Sequence, residues 1–250
     1  MTQRSRAIIV LIFFLSTISM AGCATVEMQS RWTNPMAVPL SDTTWLGEHH
    51  YYDEDSRMRI SVLNDADNLY IQLSSVNPST KMMLLRAGFT VWLDNTGGTS
   101  KNFGIQFPLA QQSPMWGNGT DHKPRNSMEE MLQDCQYSLA IVNDAEETSQ
   151  PMAVNQAEAQ GIYPHIGMKQ TYLLYELKVP LTATENNRTV GIGFETDKLE
   201  SPAGRGSSRG GGGGGKKKGG KGGSQDGGKA KPIKIWMTIH LAQEASSLEK

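Results

Sequence analysis

The chain has 250 residues, of which 38 % are hydrophobic and 20 % are charged. This is enough apolar sequence to bury one substantial core and to leave room for appendages. A formal net charge of −1 excludes a globally basic chain of the kind that binds nucleic acid through charge alone. Two cysteines exclude a disulfide framework, so the core itself must supply the stability.

The N-terminus has the pattern of an export signal. Two arginines, Arg4 and Arg6, precede an apolar run over residues 7–15 that is too short to span a membrane comfortably. A basic start followed by such a run and by small residues predicts a signal peptide over residues 1–22.

The end of this segment, Ser-Met-Ala-Gly-Cys23, resembles the bacterial lipoprotein box, with Met20 where that motif usually has leucine. The resemblance implies that Cys23 carries a diacylglycerol thioether and an acylated amine (palmitate, for example), which would anchor the protein to a membrane. The alternative is an ordinary signal peptide with an incidental cysteine. Ala24 stands where aspartate would resemble an inner-membrane retention signal, so the resemblance implies an outer-membrane lipoprotein that faces the periplasm or the cell surface.

Residues 23–44 lack sustained periodicity and are predicted to be the lipidated cysteine and a tether, with Trp32 as the candidate start of an early strand. If Cys23 is lipidated, Cys135 has no partner within the chain. Cys135 is therefore predicted to be a buried, small apolar residue.

The first strong strand pattern begins at residue 58. Residues 58–63 and 69–74 place apolar side chains at every second position on either side of an Asn- and Asp-rich turn, which predicts an antiparallel hairpin. After a linker, residues 89–94 repeat the alternation up to a Gly-rich turn, and residues 104–108 follow. These sequential strands predict a meander that buries its apolar face against a second sheet.

The second half of the chain continues the strand pattern after one helix. Ser127 and Glu130 form a capping box, which predicts a short helix to about Asp134. Further strands are predicted at residues 137–142, at residues 161–167 and 171–179 as a hairpin, and at residues 189–196.

Residues 201–231 are a low-complexity run of Gly, Lys, Arg and Ser that cannot bury enough apolar surface to become ordered. Because residues 233–241 alternate cleanly after it, the run is predicted to be a long insertion between two adjacent strands. The expected fold is all-β: an antiparallel two-sheet β-sandwich (immunoglobulin- or jelly-roll-like) over residues 45–250, with one short helix and a disordered insertion.

The run Asp67-Asn-Leu-Tyr-Ile71, followed by Val91-Trp-Leu-Asp94 and a Gly-rich turn, resembles the family 9 carbohydrate-binding module and its DOMON-like relatives. Residues 175–180 and 191–195 resemble the closing strands of that superfamily, and the resemblance covers roughly residues 45–241. It implies a β-sandwich that binds sugars in some members and haem in others.

A sugar site needs flat aromatic faces and converging polar atoms. One candidate is the loop around Trp116; another is a platform formed by Trp92 and Trp236, which both lie on the polar phase of their strands and meet if those strands are neighbours. The alternative is that residues 108–126 or 127–135 cover both rings. The candidate ligand-binding residues are Trp116, Asn118, Asp121, His122, Trp92 and Trp236.

The segment before the first hairpin contains a dense group of metal-ligand types. Carboxylates at Asp53 and Asp55 suit Ca²⁺, and His49 beside them would suit Zn²⁺. The alternative is a solvated acidic loop.

The Gly-rich run has a net charge opposite in sign to that of the rest of the chain. Residues 203–231 carry a net charge of +7, against −10 for the rest of the mature chain. Lys216, Lys217, Lys218 and Lys221 are candidate contacts for anionic lipid or lipopolysaccharide. The alternatives are a solvated insertion, or one that lies over its own acidic domain; nucleic acid is not an expected partner.

The main hypothesis is a non-catalytic, lipid-anchored carbohydrate-binding protein, and matches to enzyme motifs within the Gly-rich run are rejected because that run lacks the strands and helices those motifs need. A second hypothesis is a structural or envelope-assembly lipoprotein that binds protein or lipopolysaccharide. A third is a haem-binding domain that uses His122, His165 or His240 as axial ligands.

Overall fold

A computed structural model describes residues 25–35, 50–110, 127–144, 151–181, 188–198 and 231–244. The strands are β1 (Val26–Gln29), β2 (Arg31–Trp32), β3 (Tyr51–Asp53), β4 (Met58–Asn64), β5 (Asn68–Ser75), β6 (Phe89–Asp94), β7 (Gly104–Gln106), β8 (Ser138–Val142), β9 (Pro151–Ala153), β10 (Tyr163–Lys169), β11 (Tyr172–Pro180), β12 (Thr189–Thr196) and β13 (Lys234–His240). The helices are α1 (Pro78–Ala87), α2 (Met128–Asp134) and α3 (Val154–Glu158).

The strands form two sheets that pack as a β-sandwich, which confirms the predicted fold class. One sheet has seven strands in the order β1-β13-β12-β6-β7-β8-β9. The other has six, in the order β10-β11-β5-β4-β2, with β3 also paired to β4. Every second side chain on the long strands faces the other sheet, and Ile60, Ile71 and Leu177 of one sheet share a buried cluster with Val91 and Ile192 of the other.

The predicted hairpin of residues 58–63 and 69–74 is present as β4 and β5, with Val62 opposite Ile71. Asp65 fixes its turn: Oδ1 accepts hydrogen bonds from the amides of Asp67 (2.7 Å) and Asn68 (2.6 Å), and Oδ2 accepts one from the Tyr70 hydroxyl (2.6 Å). Burial alone would raise the pKa of Asp65, but these hydrogen bonds outweigh it, and the pKa lies below its usual value.

The strands on either side of the Gly-rich run are neighbours, as predicted. β12 and β13 pair antiparallel, from Thr189 opposite His240 to Glu195 opposite Lys234. The run itself, up to residue 230, lies outside the described residues, and so do residues 1–24 with Cys23. Cys135 is buried in the core, as predicted.

The predicted single meander is wrong, because the linker after β5 is a helix. Asn77 caps α1, with its Oδ1 accepting the Thr80 amide at 3.1 Å, and Pro78 occupies the first helical position, where its missing N–H costs nothing. The chain therefore leaves the six-stranded sheet after β5 and enters the seven-stranded sheet at β6. The prediction of one helix is also corrected, since the described residues contain α1 and α3 as well as the capping-box helix α2.

The segment predicted as a tether contributes strands to both sheets. β1 pairs parallel with β13, and β2 pairs parallel with β4, so the sandwich is not wholly antiparallel. Ser30, between them, donates its backbone N–H to the His240 carbonyl (3.0 Å) and its hydroxyl to Asn64 Oδ1 (2.5 Å). Residues 26–32 thus belong to the folded domain. Among the described residues, no helix combines the length and the apolar character needed to cross a bilayer.

Candidate functional site

Trp92 and Trp236 lie in one row on the outer face of the seven-stranded sheet. Gly193 of β12 pairs with Trp236 on one side and with Trp92 on the other. Gly104 of β7 pairs with Trp92 and continues the row. The two tryptophans that the strand phase placed on a shared face are therefore separated by a single strand, and that strand has no side chain at the position between them.

The glycines are the floor on which the indoles lie. A Cβ atom added to Gly193 would be 2.6 Å from Trp236 Cζ2, and one added to Gly104 would be 2.6 Å from Trp92 Cε3. Each ring therefore covers the glycine of its neighbouring strand, and both lean in the same direction across the sheet. Because the two tryptophans are two strand spacings apart, the rings lie about 10 Å from one another. Trp236 is half-buried, and Trp92 is 8 % exposed.

A charged group borders the two rings. Glu195, two residues after Gly193 on β12, accepts a hydrogen bond from Trp92 Nε1 at 3.2 Å and pairs with Lys101 Nζ at 2.5 Å, both through Oε2. Lys101 Nζ also lies 5.3 Å from the centroid of the Trp92 ring, so it contributes a cation–π contact.

The second oxygen of Glu195 is not used within the described part of the chain. Oε1 is buried and accepts no hydrogen bond there; its nearest cation, Lys234 Nζ, is 3.9 Å away and belongs to a largely exposed side chain. A buried carboxylate oxygen without a hydrogen-bond donor is costly in a protein.

Asp94, at the end of β6, orders the loop that carries Lys101. Its Oδ1 accepts hydrogen bonds from the amide and hydroxyl of Thr96 (2.9 and 2.6 Å), and its Oδ2 accepts one from the Ser100 amide (2.8 Å). Burial acts to raise the pKa of Asp94, but these hydrogen bonds prevail and lower it. The loop lies directly on β12, since a Cβ atom on Gly191 would be 1.9 Å from the Gly98 carbonyl oxygen.

The helix predicted as a cover for the indoles packs elsewhere. Met131 and Leu132 of α2 belong to the buried core cluster. Of the other predicted cover, residues 108–126, positions 111–126 lie outside the described residues, and with them Trp116, Asn118, Asp121 and His122. Of the six predicted ligand-binding residues, the structure thus describes two and brings those two together.

The predicted metal ligands have local roles where they are described. Asp53 Oδ2 accepts hydrogen bonds from the Ser56 amide (2.8 Å) and hydroxyl (2.6 Å), which fixes the turn between β3 and β4. Asp55 is exposed, and His49 lies outside the described residues. Among the residues with described positions, no group of three or more His, Cys, Asp or Glu side chains is arranged to hold a metal ion. The four lysines predicted to contact an anionic surface, Lys216, Lys217, Lys218 and Lys221, are also outside.

The two described histidines of the haem hypothesis lie on different sheets. His165 is half-buried on β10, on the outer face of the six-stranded sheet, where burial lowers its pKa. His240 is exposed on β13, on the outer face of the seven-stranded sheet. Because these faces lie on opposite sides of the sandwich, the two imidazoles cannot ligate one haem as a pair.

The outer face of the six-stranded sheet buries a row of polar side chains. Ser61, Gln72, Glu176 and His165 are register partners across β4, β5, β11 and β10. Glu176 is 0 % exposed, and its Oε1 accepts a hydrogen bond from Gln72 Nε2 at 2.9 Å. Its Oε2 has no partner in the described structure, and burial raises the pKa of this carboxyl to about 7.

Sequence reasoning missed Lys101 and Glu195 at the indole row. The segment Gly191-Ile-Gly-Phe-Glu195 does hold a usable signal, because glycine at alternate positions of a strand marks a close approach by another group. With the core on the Ile192 and Phe194 side, that alternation places Glu195 on the same face as the two tryptophans.

Comparisons with known proteins add a structural likeness. No protein family's sequence profile matches this chain, and a search of curated proteins finds no match. The chain is similar in structure to a carbohydrate-binding module of family 9 from Caldicellulosiruptor kristjanssonii, solved in complex with glucose. The identity is 10 %, the TM-score is 0.43, and the match covers 90 % of this chain and 100 % of that one.

Proposed function

We propose that this protein is a non-catalytic carbohydrate-binding domain and that the outer face of its seven-stranded sheet is the glycan surface. The observation that carries the proposal is the row of Trp236, Gly193 and Trp92, in which the half-buried Trp236 ring lies on Gly193 and keeps part of its surface open beside the largely buried Trp92. Indole faces of this kind suit the C–H groups of a pyranose ring, which present a flat apolar surface.

The polar group beside the rings supports the same function. A sugar offers hydroxyls as donors and acceptors next to its C–H faces. Glu195 and Lys101 supply a carboxylate and an ammonium group beside the rings, and Lys101 Nζ holds one oxygen of that carboxylate in place. An aromatic surface with a few positioned polar atoms is the usual composition of a small-molecule site.

A glycan array probed with the full chain tests the proposal, and isothermal titration calorimetry then measures the affinity for a sugar that binds. Trp236→Ala is expected to weaken that affinity about tenfold, because an aromatic contact contributes roughly 1 kcal/mol beyond the area it buries. Trp32→Ala is the matched control: it removes a half-buried indole from β2 on the other sheet and should leave sugar binding unchanged.

A third variant, Trp116→Ala, separates the indole row from the loop predicted at residues 115–122. Loss of sugar binding in Trp116→Ala with full binding in Trp236→Ala would move the site to that loop. A chain that binds lipopolysaccharide or protein but no glycan on the array would contradict the proposal and favour an envelope-assembly role.

We also propose that Cys23 is lipidated and holds the domain at the outer membrane; this rests on the sequence alone. Labelled palmitate should be incorporated into the wild-type protein in bacterial cells and not into Cys23→Ser, which should fractionate with soluble proteins. Equal label in both would rule out lipidation at this cysteine.

A further inference from the structure

A cleft of about 490 Å³ opens at one end of the six-stranded sheet, on the opposite side of the sandwich from the indole row. Its volume lies in the range of small-molecule sites. Tyr52, Arg59 and Ser74 are register partners on β3, β4 and β5 and form one side of it. Arg57, Tyr172, Val76 and the start of α1 at Asn77 complete it among the described residues.

Two arginines line this cleft without a carboxylate partner among the described residues. Within the described part of the chain, neither Arg57 nor Arg59 forms an ion pair. The nearest acidic side chains along the chain are those of the turn at residues 53–55, and Asp53 is engaged by Ser56. Two arginines without an ion pair in one concave site supply charged donors that suit an oxyanion.

Arg59 is held in position by an aromatic ring. Its guanidinium lies 5.6 Å from the centroid of Tyr172, and Nη1 donates a hydrogen bond to the Tyr172 hydroxyl at 3.2 Å. A stacked guanidinium keeps the donors on its free edge available in a fixed plane, which matches the two oxygens of a carboxylate or phosphate.

The backbone of Arg57 has a conformation that favours glycine. Its φ is +53°, and two side chains bind this turn: the Ser75 hydroxyl donates to the Arg57 carbonyl (2.9 Å), and the Thr80 hydroxyl donates to the Ser56 carbonyl (2.5 Å). Strained backbone that the surrounding structure fixes in this way is concentrated at functional sites. Here an arginine at the edge of the cleft occupies a backbone conformation that glycine would adopt without strain.

A serine in the cleft has a hydroxyl without a hydrogen-bond partner among the described residues. Ser74 is 6 % exposed, lines the cleft, and makes no side-chain hydrogen bond in the described structure. Tyr52 and Val76 are 44 % and 49 % exposed, so the same cleft offers apolar contact beside its donors. The N-terminal end of α1 adds the positive end of a helix dipole at Asn77.

We propose that this cleft binds a pyranose that carries an oxyanion, either a uronate or a sugar phosphate. Arg57 and Arg59 bind the anionic group, Ser74 donates to it or to a ring hydroxyl, and Tyr52 and Val76 contact the ring. The cleft has room for a sugar ring beside the anionic group, and its exposed tyrosine and valine suit the C–H face of a sugar. The proposal does not depend on the glycan surface of the other sheet.

Isothermal titration calorimetry of the full chain in detergent tests it with glucuronate, glucose 6-phosphate, inorganic phosphate and glucose. Glucuronate or glucose 6-phosphate should bind more tightly than glucose and than phosphate, and the preference between the first two identifies the source of the anion. Arg57→Gly and Arg59→Lys should each weaken that binding about tenfold, because the first removes a charge-assisted donor and the second removes the planar fork.

Arg57→Gly should keep or raise the unfolding temperature, since it relieves the left-handed backbone, so a loss of binding in this variant cannot be ascribed to unfolding. Arg188→Ala, an exposed arginine at the start of β12, is the control and should bind as wild type. Trp236→Ala should also bind the anion as wild type, which distinguishes this site from the glycan surface. Equal affinity for glucose and glucuronate, or anion binding that survives both arginine variants, would overturn the proposal.

Discussion

The two outer faces of the sandwich carry different kinds of side chain. Each is the side of a sheet turned away from the core, where alternation normally places solvated polar residues. The seven-stranded face instead carries two indoles on a glycine floor, with one carboxylate beside them. On the six-stranded face Gln72 and Glu176 are buried, and the arginine cleft opens at one end of that face.

The difference lies in what each face requires of its strands. On the seven-stranded face, glycines leave room for the indole rings and for a loop, so a larger side chain at these glycine positions would clash. On the six-stranded face, buried polar side chains form hydrogen bonds with each other, so a charge on one of them is costly. Added volume should therefore damage the first face and ionisation the second.

The largest expected effect is from added volume at Gly191. In Gly191→Ala the new Cβ would overlap the Gly98 carbonyl oxygen, so the loop of residues 95–100 must move. We expect a loss of about 3 kcal/mol in the free energy of unfolding, measured by urea denaturation.

Gly167→Ala is the matched control on the six-stranded face. There the new Cβ would be 3.2 Å from His165 Nε2, the end of a side chain that can turn away, and the free energy of unfolding should change by less than about 1 kcal/mol. Equal losses in both variants would show that the two faces do not differ in their tolerance of volume.

Ionisation of Glu176 should produce the next largest effect. Its pKa is raised in the folded protein from 4.5 to about 7, so the folded state retains a proton that the unfolded state releases. Stability should therefore be highest below pH 4.5 with respect to this group, and should fall as the pH rises toward about 7.

Glu176→Gln keeps the hydrogen-bonding shape without the charge, so it should remove this pH dependence. The variant should be more stable than wild type by about 2 kcal/mol at pH 8 and similar to it near pH 5, as judged by urea denaturation across that range. A parallel loss of stability in both proteins between these pH values would mean that Glu176 is not the titrating group.

The smallest expected difference concerns the lysines that lie over aromatic rings on each face. Lys101 lies over Trp92 and also pairs with Glu195, whereas Lys178 lies over Tyr70 and Tyr163 with no ion pair among the described residues. Lys101→Met should cost about 1 kcal/mol and Lys178→Met about 0.5 kcal/mol in thermal unfolding. High salt should reduce the cost of Lys101→Met more; the opposite order would contradict the assigned role of Glu195.

Sequence alone was sufficient for the long strands of both sheets. In β4, β5, β12 and β13 the apolar period of two is sustained over seven or eight residues, so it identifies both the strand and its buried face. The same period predicted that Trp92 and Trp236 share a face, since each lies opposite the aliphatic residues of its strand.

Other elements could not be predicted, because they depend on strand partners far along the chain or lack a regular apolar pattern of their own. β1 and β2 are four and two residues long, and their partners β13 and β4 are far along the chain, so no short-range period marks them, although Trp32 of β2 was a candidate for an early strand. α1 has a clear start signal in Asn77-Pro78 but no regular apolar stripe after it. Glu195 and Lys101 converge only because of the register of β12 against β6 and the loop geometry set by Asp94, and neither is visible in one sequence.

The early start of β1 limits how the domain would sit on a membrane. Only Ala24 and Thr25 separate Cys23 from Val26, so an acyl chain at Cys23, as proposed, would be about 10 Å from the first ladder hydrogen bonds. Force on that anchor would act directly on the hydrogen bonds between β1 and β13, because no long flexible linker would lie between them. The domain would then be held close to the lipid headgroups, with the edge of its seven-stranded sheet toward them.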